Sequence, residues 1–487
     1  MILTPAEMKA TEEQAFSRGA TAEGLMEIAG LGIADIVTQF HSVPGSCHVF
    51  YGKGHNGGDG LVAARHLALR GWSIIEKPAF AESSLSALTA KQLKHLRSVS
   101  PSRPASNNSP LVVLDGLLGI GSQGAPRPPI SEAIQSINTL RRERGAWVLA
   151  IDIPSGLDAV IAGEATCVRA DVTATIAFAK EGLLADEATD FVGRLALVPL
   201  PDLETKKEGA CRIALASWLS EFCPPRNFNT HKGQAGRVGI VAGSPGFLGA
   251  ANLCALGALK GGGGLITLFA LPEVAAPLAI RCPPEIMVRS ITNLREIFHE
   301  NLDVLAIGPG IGAANNGDVL ALIRDLPIPV VADADALNAL AESPGILKKA
   351  RGPRLLTPHP GEMERLSPQA GRSRRDWAED FVRERKITLL LKGARTIIAS
   401  PGQPTTFNTT GHPGMATGGM GDVLTGVTAA LIAQGQSLDA SAILGAWACG
   451  FAAESAIAHG ASQESLTPED VTDHLGQAFN SLRKGLF

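Results

Sequence analysis

Residues 411–426 read GHPGMATGGMGDVLTG, a glycine-rich loop that runs directly into a helical pattern. Glycines at 419 and 421 keep the backbone open, so that main-chain N–H groups at the start of the helix can face a phosphate. Asp422 lies at the beginning of that helix, and its carboxylate can serve as a general base toward an attacking hydroxyl. The alternative is an Asp that only caps the helix. Because the order of residues differs from G-x-x-x-x-G-K-[ST], the stretch predicts a phosphate site of another kind than a P-loop.

Four further loops of the second half of the chain follow apolar runs that predict strands. Residues 308–312 are GPGIG, residues 357–362 are TPHPGE, and residues 392–396 are KGART. Asp333 and Asp335 stand where the run VVA enters a helical pattern. Paired acids can bind magnesium, or they can cap the helix, and both interpretations stay open. Each loop is weak evidence alone, but the carboxyl ends of parallel strands share one edge of a sheet.

Three strand ends in the first half each carry an Asp beside glycines. Residues 52–60 read GKGHNGGDG, residues 115–121 read DGLLGIG, and residues 152–158 read DIPSGLD. Glycines allow sharp turns and close approach to a ligand, and the N-terminus of a following helix suits a phosphate. A single Asp at such a place often only caps a helix, whereas three at converging strand ends favour a binding site. Asn56 and Asp59 add oxygens that can bind a cation or a hydroxyl.

Apolar runs alternate with helical patterns along both halves, which predicts α/β domains with mostly parallel sheets covered by helices on both faces. Residues 5–41 predict two helices. The other predicted elements of the first half are strands at 47–51, 111–115, 146–151, 172–178 and 195–198, and a helix at 56–71. Those of the second half are strands at 237–242, 265–269, 304–307, 328–332, 354–356 and 387–391, and helices at 249–260, 421–434 and 438–459, the last two finishing the chain.

A length of 487 residues predicts two or three domains. The stretch 201–209 is polar and charged, and the stretch 223–230, CPPRNFNT, is rich in Pro and Asn. We therefore expect a boundary between about 205 and 230, with a first domain over 1–212 and a second over 225–487. No self-similarity at a fixed period is present in the sequence, which excludes a solenoid.

Composition excludes several classes of protein. With 45% hydrophobic and 18% charged residues, each domain can bury a core, and disorder is not expected. A formal net charge of −4 and a single tyrosine, Tyr51, argue against nucleic-acid binding through basic patches and aromatic stacking. Seven cysteines without a C-x-x-C pair favour reduced thiols in the cytoplasm. The N-terminal residues do not predict a signal peptide, and no run of 18 apolar residues predicts a membrane span.

The three loops of the first half resemble the signature loops of the NAD(P)H-hydrate epimerases, over roughly residues 1–210. This family is the N-terminal module of bifunctional enzymes that repair hydrated NADH and NADPH, and it implies a Rossmann-like three-layer fold. The family usually has two Asn in the first loop, whereas here His55 takes the first place and Asn56 keeps the second. The resemblance implies a potassium ion bound by Asn56, Asp115 and Ser155, whose hard oxygen donors suit such a cation.

The same resemblance implies which residues contact the hydrated nucleotide. Asp152 is the candidate acid/base for epimerisation, with a capping or turn residue as the alternative. Lys180, in FAKEG, lies either near a phosphate or at the solvated surface. The implied substrate contacts are His55, Asn56, Gly57, Gly58, Asp59, Gly119, Ile120, Gly121, Ser122, Gln123, Gly124, Ala125 and Asp152.

The second half resembles the ribokinase-like ADP/ATP-dependent NAD(P)H-hydrate dehydratases. HKGQAGRVGIVAG, GPG, DADALN, TPHPGE, KGART and the stretch 411–426 occur in the family's order over roughly residues 230–480. His412 stands where the family commonly has Asn. By position, the implied contacts to the hydrate are Ala250, Gly310, His359 and Asp422. The implied contacts to ADP or AMP are Lys392, Gly393, Ala394, Arg395, Thr396 and Gly421.

The two resemblances together imply a bifunctional enzyme. Its first domain would interconvert the R and S forms of hydrated NAD(P)H, and its second would dehydrate the S form using ADP with Mg²⁺, giving AMP and phosphate. ADP is favoured over ATP because fusion to an N-terminal epimerase is a bacterial-type arrangement. Phosphorylation would turn the hydroxyl of the hydrate into a good leaving group, with Asp422 taking its proton and the N–H groups near 419–421 stabilising the transferred phosphate.

Further expectations concern partners and alternatives. We expect small-molecule substrates, no nucleic-acid or membrane partner, and a homo-oligomer. One alternative is a vitamin or sugar kinase with an accessory nucleotide-binding domain, which would release a phosphorylated product without loss of water. A second alternative is a non-enzymatic nucleotide-binding or RNA-associated scaffold, which the scarcity of basic patches and aromatic residues disfavours.

Overall fold

The computed structural model describes residues 2–485, except 100–108, 123, 162, 164–165, 205–208 and 370. It divides into two compact units, Met1–Gly209 and Ala210–Phe487. The expected substrate contact Gln123 and part of the expected boundary region lie outside the described residues. Each unit has its own main sheet and its own core, so each is described by itself.

The first unit is built on a parallel sheet of six strands, in the order β3-β2-β4-β5-β6-β8, and β1 pairs separately with β7. Its strands are β1 (Ile2–Leu3), β2 (Ser46–Tyr51), β3 (Ser73–Pro78), β4 (Leu111–Gly116), β5 (Trp147–Ile151), β6 (Val172–Ile176), β7 (Ala179–Lys180) and β8 (Arg194–Val198). Its helices are α1 (Pro5–Ser17), α2 (Ala22–Phe40), α3 (His55–Leu69), α4 (Ala87–Ser98), α5 (Ile130–Arg144), α6 (Leu157–Ile161) and α7 (Thr189–Val192).

Both faces of this sheet are apolar, because successive side chains of a strand point to opposite faces and both faces are covered. Val112 and Leu114 of β4 belong to one buried cluster, which α2 and α3 complete. Val113 of the same strand belongs to a second cluster, which α5 completes with Ile134 and Ile137. The predicted three-layer α/β arrangement is confirmed.

The strand order of the first unit reverses between β2 and β4. From β2 the chain moves outward to β3, then crosses back to place β4 on the other side of β2. At such a switch point the loops after the two strands diverge and leave a crevice at the carboxyl edge of the sheet. The loop after β2 contains the motif at 52–60, and the loop after β4 contains the motif at 115–121. The fold therefore brings these two motifs to one crevice.

The second unit has one sheet of ten strands, in the order β12-β11-β10-β13-β14-β15-β16-β17-β18-β9. Its strands are β9 (Cys211–Ile213), β10 (Arg237–Val241), β11 (Leu265–Ala270), β12 (Ile286–Ser290), β13 (Val304–Ile307), β14 (Val330–Ala332), β15 (Arg354–Leu356), β16 (Thr388–Leu391), β17 (Ile397–Ala399) and β18 (Thr405–Phe407). Its helices are α8 (Ala216–Leu219), α9 (Leu248–Lys260), α10 (Pro272–Arg281), α11 (Asn316–Asp325), α12 (Asp335–Glu342), α13 (Pro360–Leu366), α14 (Arg374–Arg385), α15 (Met420–Ala433), α16 (Leu438–Ala458) and α17 (Pro468–Arg483).

Parallel pairing extends from β12 to β16, antiparallel pairs join β16 to β17 and β17 to β18, and β9 pairs in parallel with β18 at the edge. The order reverses between β10 and β13, which makes that position the switch point of the second unit. The loops after β13, β14, β15 and β16, which carry the motifs at 308–312, 333–335, 357–362 and 392–396, therefore follow one another along the same edge.

The segment between the two predicted domains belongs to the second unit. β9 pairs in parallel with β18, with Cys211 opposite Thr405 and Ile213 opposite Phe407. Leu219 of α8 enters the core of the second unit. The observed division after Gly209 therefore differs from the expected domains 1–212 and 225–487. A three-residue edge strand is too short to leave a periodic signal in the sequence, so only its pairing reveals it.

The helices α15 and α16 are buried over most of their circumference. By length and composition alone, α16 could cross a membrane, contrary to the expectation from the sequence, but 78% of its most apolar stretch is buried inside the structure. It packs against α15 and α17. A helix that is apolar on all sides suits the core of a large domain. The sequence prediction ended the chain with α16 and missed α17, whose single buried face carries Val471, Leu475, Ala478 and Leu482.

Candidate active sites

In the second unit, the loops after β10 and β13 lie against each other at the switch point. Gly243 N donates to Pro309 O at 2.9 Å, and Ser244 Oγ donates to Gly310 O at 2.8 Å. Gly310 has φ +62°, in the left-handed region that favours glycine, and a Cβ there would lie 3.1 Å from Ala250 Cβ. The structure thus places Ala250 and Gly310, two expected contacts to the hydrate, side by side in this crevice.

Four charged side chains from nearby elements form what we call the acid–lysine cluster: Asp333 after β14, Glu362 in α13, Lys392 after β16 and Asp422 in α15. Lys392 Nζ donates to Asp333 Oδ1 at 2.7 Å and lies 3.8 Å from Glu362 Oε2. Thr425 Oγ1, in the same helix as Asp422, donates to Asp333 Oδ2 at 2.9 Å. Asp333 is 1% exposed and Glu362 5% exposed, so burying these carboxylates depends on such donors.

Asp422 lies in the first turn of α15, whose N-cap is Gly419 with φ +94°. A Cβ on Gly421 would lie 3.2 Å from Lys392 Nζ, so the start of the helix faces the lysine closely. Burial, with the charges of two neighbouring carboxylates, raises the pKa of Asp422 to about 7, against the opposing charge of Lys392. A carboxyl with this pKa can take a proton and return it near neutral pH. The free N–H groups of the same helical turn can bind an anion.

His359 is the N-cap of α13. Its Nδ1 accepts hydrogen bonds from Gly361 N at 3.0 Å and Glu362 N at 3.3 Å, while the carboxylate of Glu362 accepts from His359 N at 2.8 Å. This capping box fixes the ring and leaves Nε2 as the protonated nitrogen of the neutral imidazole. The ring is 52% exposed. The geometry therefore gives His359 a structural role that the sequence did not predict, and its Nε2 lies 3.5 Å from Glu362 Oε1.

The loop 392–396, expected to contact the nucleotide, presents only some of its side chains to solvent. Lys392 turns inward to Asp333, Arg395 is 6% exposed, and Gly393 and Ala394 are exposed. Thr396 Oγ1 donates to Gly393 O at 3.1 Å, which closes the loop on itself. The exposed part of this loop is therefore mainly backbone.

Asp333 and Asp335, for which the sequence left helix capping and magnesium binding open, have different hydrogen-bond partners. Asp333 accepts from Lys392 and Thr425, whereas Asp335 Oδ2 accepts from Gly312 N at 2.9 Å. No side-chain cap is formed at the start of α12. Among the described residues, no group of three or more His, Cys, Asp or Glu side chains is arranged to hold a metal ion. These partners argue against a helix cap by either acid, and magnesium binding by Asp333 and Asp335 stays a prediction.

In the first unit, the loops at the switch point meet around the backbone of Leu118. Asn56 Nδ2 donates to Leu118 O at 2.8 Å, and Ser155 Oγ accepts from Leu118 N at 3.0 Å. Ser155 also donates to the buried Asp115, from Oγ at 2.7 Å and from N at 2.9 Å. Burial raises the pKa of Asp115 to about 6 despite these bonds. The structure thus brings together the three residues expected to bind potassium.

Asp152 has φ +67°, a conformation that costs energy for a residue other than glycine. Its Oδ1 accepts from Ile176 N at 3.0 Å and forms a buried ion pair with Lys180. Lys180 Nζ also donates to Ile176 O at 2.7 Å and Thr175 Oγ1 at 3.2 Å. With 4% exposure, Lys180 is not at the solvated surface, as one interpretation of the sequence had it. The carboxylate of Asp152 is instead held by a lysine.

Two more carboxyl groups interact with this ion pair. Burial raises the pKa of Asp59 well above its usual value, and the charges of Asp152 and Glu12 raise it further. Burial likewise raises the pKa of Glu12, with a further contribution from Asp152 and opposing ones from Lys180 and His55. Glu12, in helix α1, was not predicted as a site residue. A lone acid in an amphipathic helix gives no sequence signal that separates it from a solvated one.

Comparison with known proteins bears on both units. Residues 22–182 match the family described as YjeF-related protein N-terminus, and residues 238–476 match the family described as NAD(P)H-hydrate dehydratase. A bifunctional NAD(P)H-hydrate repair enzyme of Moorella thermoacetica is 36% identical over 94% of this chain and 93% of its own length. The chain belongs to the bifunctional NAD(P)H-hydrate repair enzymes. A relative of the same name from Leishmania major is 35% identical over 86% of this chain and 82% of its own length.

The dehydratase half of this repair enzyme also has a solved relative. An ADP/ATP-dependent NAD(P)H-hydrate dehydratase from Bacillus subtilis, co-crystallised with ATP and Mg²⁺, superimposes with a TM-score of 0.50 and 26% identity, over 56% of this chain and 99% of that chain. The expected ribokinase-like fold of the second half is thereby confirmed.

Two histidines, His55 and His412, stand where the resemblance described above led us to expect asparagine. His412 Nδ1 accepts a hydrogen bond from Gly414 N at 3.1 Å and caps the short turn Pro413–Met415. The side-chain oxygen of an asparagine could accept the same kind of hydrogen bond. His55 is exposed as the first residue of α3. Its charge interacts with Glu12. His412 thus caps a turn, and His55 places an imidazole beside the motif at 52–60.

The remaining expected contacts of the first unit lie in the loop after β4. Gly119 sits against Asn56, since a Cβ there would lie 3.4 Å from Asn56 Cβ. Ser122 N and Oγ both donate to Gly119 O, at 3.1 and 3.0 Å. Gly121, Gly124 and Ala125 are exposed, and Ile120 packs partly against the core. The loop therefore begins at the switch-point crevice and continues on the surface.

Proposed function

We propose that the first unit interconverts the R and S epimers of hydrated NADH and NADPH, and that the second unit dehydrates the S epimer using ADP, giving AMP and phosphate. The observation that carries the second assignment is the position of Asp422, whose pKa is about 7, in the helical turn that faces Lys392. Transfer of a phosphoryl group to a hydroxyl requires a proton acceptor, a cation and free N–H groups, and this site has all three.

The dehydration proceeds, in this proposal, through a phosphorylated hydrate. Asp422 takes the proton of the substrate hydroxyl while the hydroxyl oxygen attacks the terminal phosphorus of ADP. AMP departs with the electrons of the broken P–O bond. The N–H groups at the start of α15 stabilise the charge on the transferred group. Phosphate then leaves with the electrons of the C–O bond, the adjacent ring carbon loses a proton to water, and the electrons of that C–H bond form the restored ring double bond. Ala250, Gly310 and His359 would contact the hydrate during both steps.

The nucleotide would lie along the loop 392–396, with Gly421 beside its phosphates. The exposed backbone at Gly393 and Ala394 offers hydrogen-bonding groups, whereas the buried Arg395 supports the loop from inside. Magnesium would be carried mainly by the nucleotide phosphates, because the described residues do not form a cage for it. It would supply charge neutralisation on the phosphates.

Potassium fits the first unit through Asn56, Asp115 and Ser155. Their amide, carboxylate and hydroxyl oxygens are hard donors; Asn56 and Ser155 both hydrogen-bond to the backbone of Leu118, and Ser155 also hydrogen-bonds to Asp115. A buried carboxylate whose pKa is raised by desolvation gains most from a bound cation. The ion would order the loops after β2 and β4, against which the hydrated nucleotide would bind.

The free thiols support a location in the cytoplasm. All seven cysteines are buried and free of disulfide bonds. A reducing compartment such as the cytoplasm suits seven free thiols.

The test is to incubate the full chain with a mixture of R and S hydrated NADH, in potassium, with ADP, ATP or no nucleotide. Restored NADH is followed by its absorbance, and phosphorus products are separated by chromatography. We expect complete conversion of both epimers with ADP, release of AMP and phosphate, and no restoration without nucleotide. A stable phosphorylated product without restored NADH would support the alternative of a kinase and refute the dehydratase assignment.

A further inference from the structure

Helix α14 starts near the loop 392–396, which we call the nucleotide loop. The helix precedes β16, a strand parallel to β15, and the nucleotide loop follows β16. A helix that connects parallel strands runs back across the sheet, so its N-terminus lies at the carboxyl edge. Arg374 and Arg375 are the first two residues of α14. Both arginines therefore lie near the edge of the sheet from which the nucleotide loop departs.

Arg374 lies on the face of α14 that packs on the sheet. Trp377 and Ala378, three and four residues later, are buried on that face, and α14 packs against β16 and β17. A positive charge in the first turn of a helix is disfavoured, because the N-terminal end of the helix dipole is also positive. Arg375 is compensated by Glu379, at 3.0 Å. Arg374 instead extends to the nucleotide loop.

The guanidinium of Arg374 lies against the backbone where the nucleotide loop begins. Its Nη2 donates to Lys392 O at 3.2 Å and, more weakly, to Leu391 O at 3.5 Å. A Cβ on Gly393 would lie 2.9 Å from Cζ of Arg374 and 3.1 Å from its Nη1, so the guanidinium would have to move. Glycine at position 393 therefore leaves the space that the guanidinium of Arg374 occupies.

These contacts fix the direction of the peptide group between Lys392 and Gly393. This peptide is trans, and in a trans peptide the C=O and N–H bonds point in opposite directions. Because Lys392 O faces Arg374, the N–H of Gly393 points away from it. Gly393 is exposed, and no acceptor for its N–H is found in the part of the chain that the structure describes. An exposed N–H group with a fixed direction can donate to a phosphate.

We propose that Arg374 is a positioning residue of the dehydratase site, which holds this peptide so that the N–H of Gly393 donates to a phosphate of ADP. The inference rests on the proposed dehydratase function of the second unit. If the peptide turned over, the carbonyl oxygen of Lys392 would face the phosphate, and the two acceptors would repel each other. Arg374, 18 residues before Lys392, acts on the nucleotide through this peptide group.

The experiment measures the binding of ADP and of adenosine to the full chain by calorimetry, in the presence of Mg²⁺. It compares the wild type, Arg374→Met and the matched control Arg383→Met, which changes an exposed arginine of the same helix. Arg374→Met should weaken ADP binding about tenfold, the effect of losing one hydrogen bond to a charged group. Adenosine binding should be unchanged, because adenosine has no phosphate. Arg383→Met should change neither affinity.

Two further variants test the contact between Arg374 and the nucleotide loop. Gly393→Ala adds the Cβ that displaces the guanidinium, so it should weaken ADP binding alone but add little to Arg374→Met. Arg374→Lys keeps the charge without the planar fork, so its ADP affinity should lie between those of the wild type and Arg374→Met. It replaces Arg374→Met in the comparison if that variant does not fold. In the dehydratase assay, the KM for ADP should rise in Arg374→Met while kcat stays close to the wild-type value.

The outcomes separate this inference from the proposed function. A wild type that binds ADP in an Arg374-dependent way but restores no NADH supports the inference and refutes the function. A wild type that restores NADH while Arg374→Met binds ADP normally overturns the inference and leaves the function standing. Equal losses of ADP and adenosine affinity, or additive effects of Gly393→Ala and Arg374→Met, would also overturn the inference. A wild type that binds no ADP overturns both.

Discussion

Replacing Asp422 by Asn tests the base of the dehydratase site with little change of shape. Asn has the size of Asp and caps or starts a helix about as well, but it accepts no proton. Removal of a general base typically lowers a rate by ~10²–10⁴-fold, which corresponds to about 3–5 kcal/mol on the barrier. We expect a loss of dehydratase activity in this range. Epimerase activity should be unchanged, because Asp422 belongs to the second unit.

The pH dependence of the dehydratase rate tests the same prediction in a second way. Burial and neighbouring carboxylates raise the pKa of Asp422 to about 7. Only the ionised form can take a proton, so the wild-type rate should fall about tenfold for each pH unit below 7. In Asp422→Asn that slope should disappear and leave a low, flat profile.

Stability provides a check against misfolding. For an acid whose pKa is raised by folding, the folded state binds the proton more tightly than the unfolded state. The contribution of such an acid to the free energy of unfolding therefore falls as pH rises toward the pKa of the folded state. Above pH 7, Asp422 is ionised at a cost that Asn does not incur, so Asp422→Asn should melt at the same or a higher temperature at pH 8.

The assay measures dehydratase rate, epimerase rate, ADP affinity and melting temperature on one preparation. ADP affinity should persist, because the helix N–H groups are untouched. Glu469→Gln is the control, since Glu469 is an exposed acid in the first turn of α17 in the same unit. A variant that retains near-normal dehydration with its slope below pH 7 would refute the role of Asp422 as the base.

Other perturbations address the lysine, the cation and the division of the chain. Lys392→Met removes the charge that lowers the pKa of Asp422. The acid limb of the pH profile of the dehydratase rate should therefore move above pH 7. An unmoved limb would contradict the acid–lysine cluster. Potassium affinity, measured by epimerase rates in potassium against tetramethylammonium, should fall as pH drops through about 6, where Asp115 takes up a proton. Chains of residues 1–209 and 210–487 should each melt cooperatively. A chain of residues 225–487 should melt at a lower temperature than the chain of residues 210–487, because β18 loses its partner β9. Equal melting temperatures of these two chains would argue against that pairing.

The contrast between strong and weak sequence signals explains which elements were predicted. Strands β13 and β15 were predicted at their observed bounds, because their apolar runs are bounded by glycine- or proline-rich loops. Strands β9, β17 and β18 have three residues each and were not predicted. Their existence depends on antiparallel and edge pairing with distant parts of the chain, and such pairing leaves no periodic pattern in a short segment.

The sequence by itself determined the two α/β units, the glycine-rich loops at their strand ends and Asp422 at the start of α15, because these signals are local. Only the tertiary structure decided which charges meet. The lysine that holds Asp152 lies 28 residues away, and the one that holds Asp333 lies 59 residues away. The energy of a charge depends on burial and on neighbours brought by the fold, and neither can be read from the residues beside it in the chain.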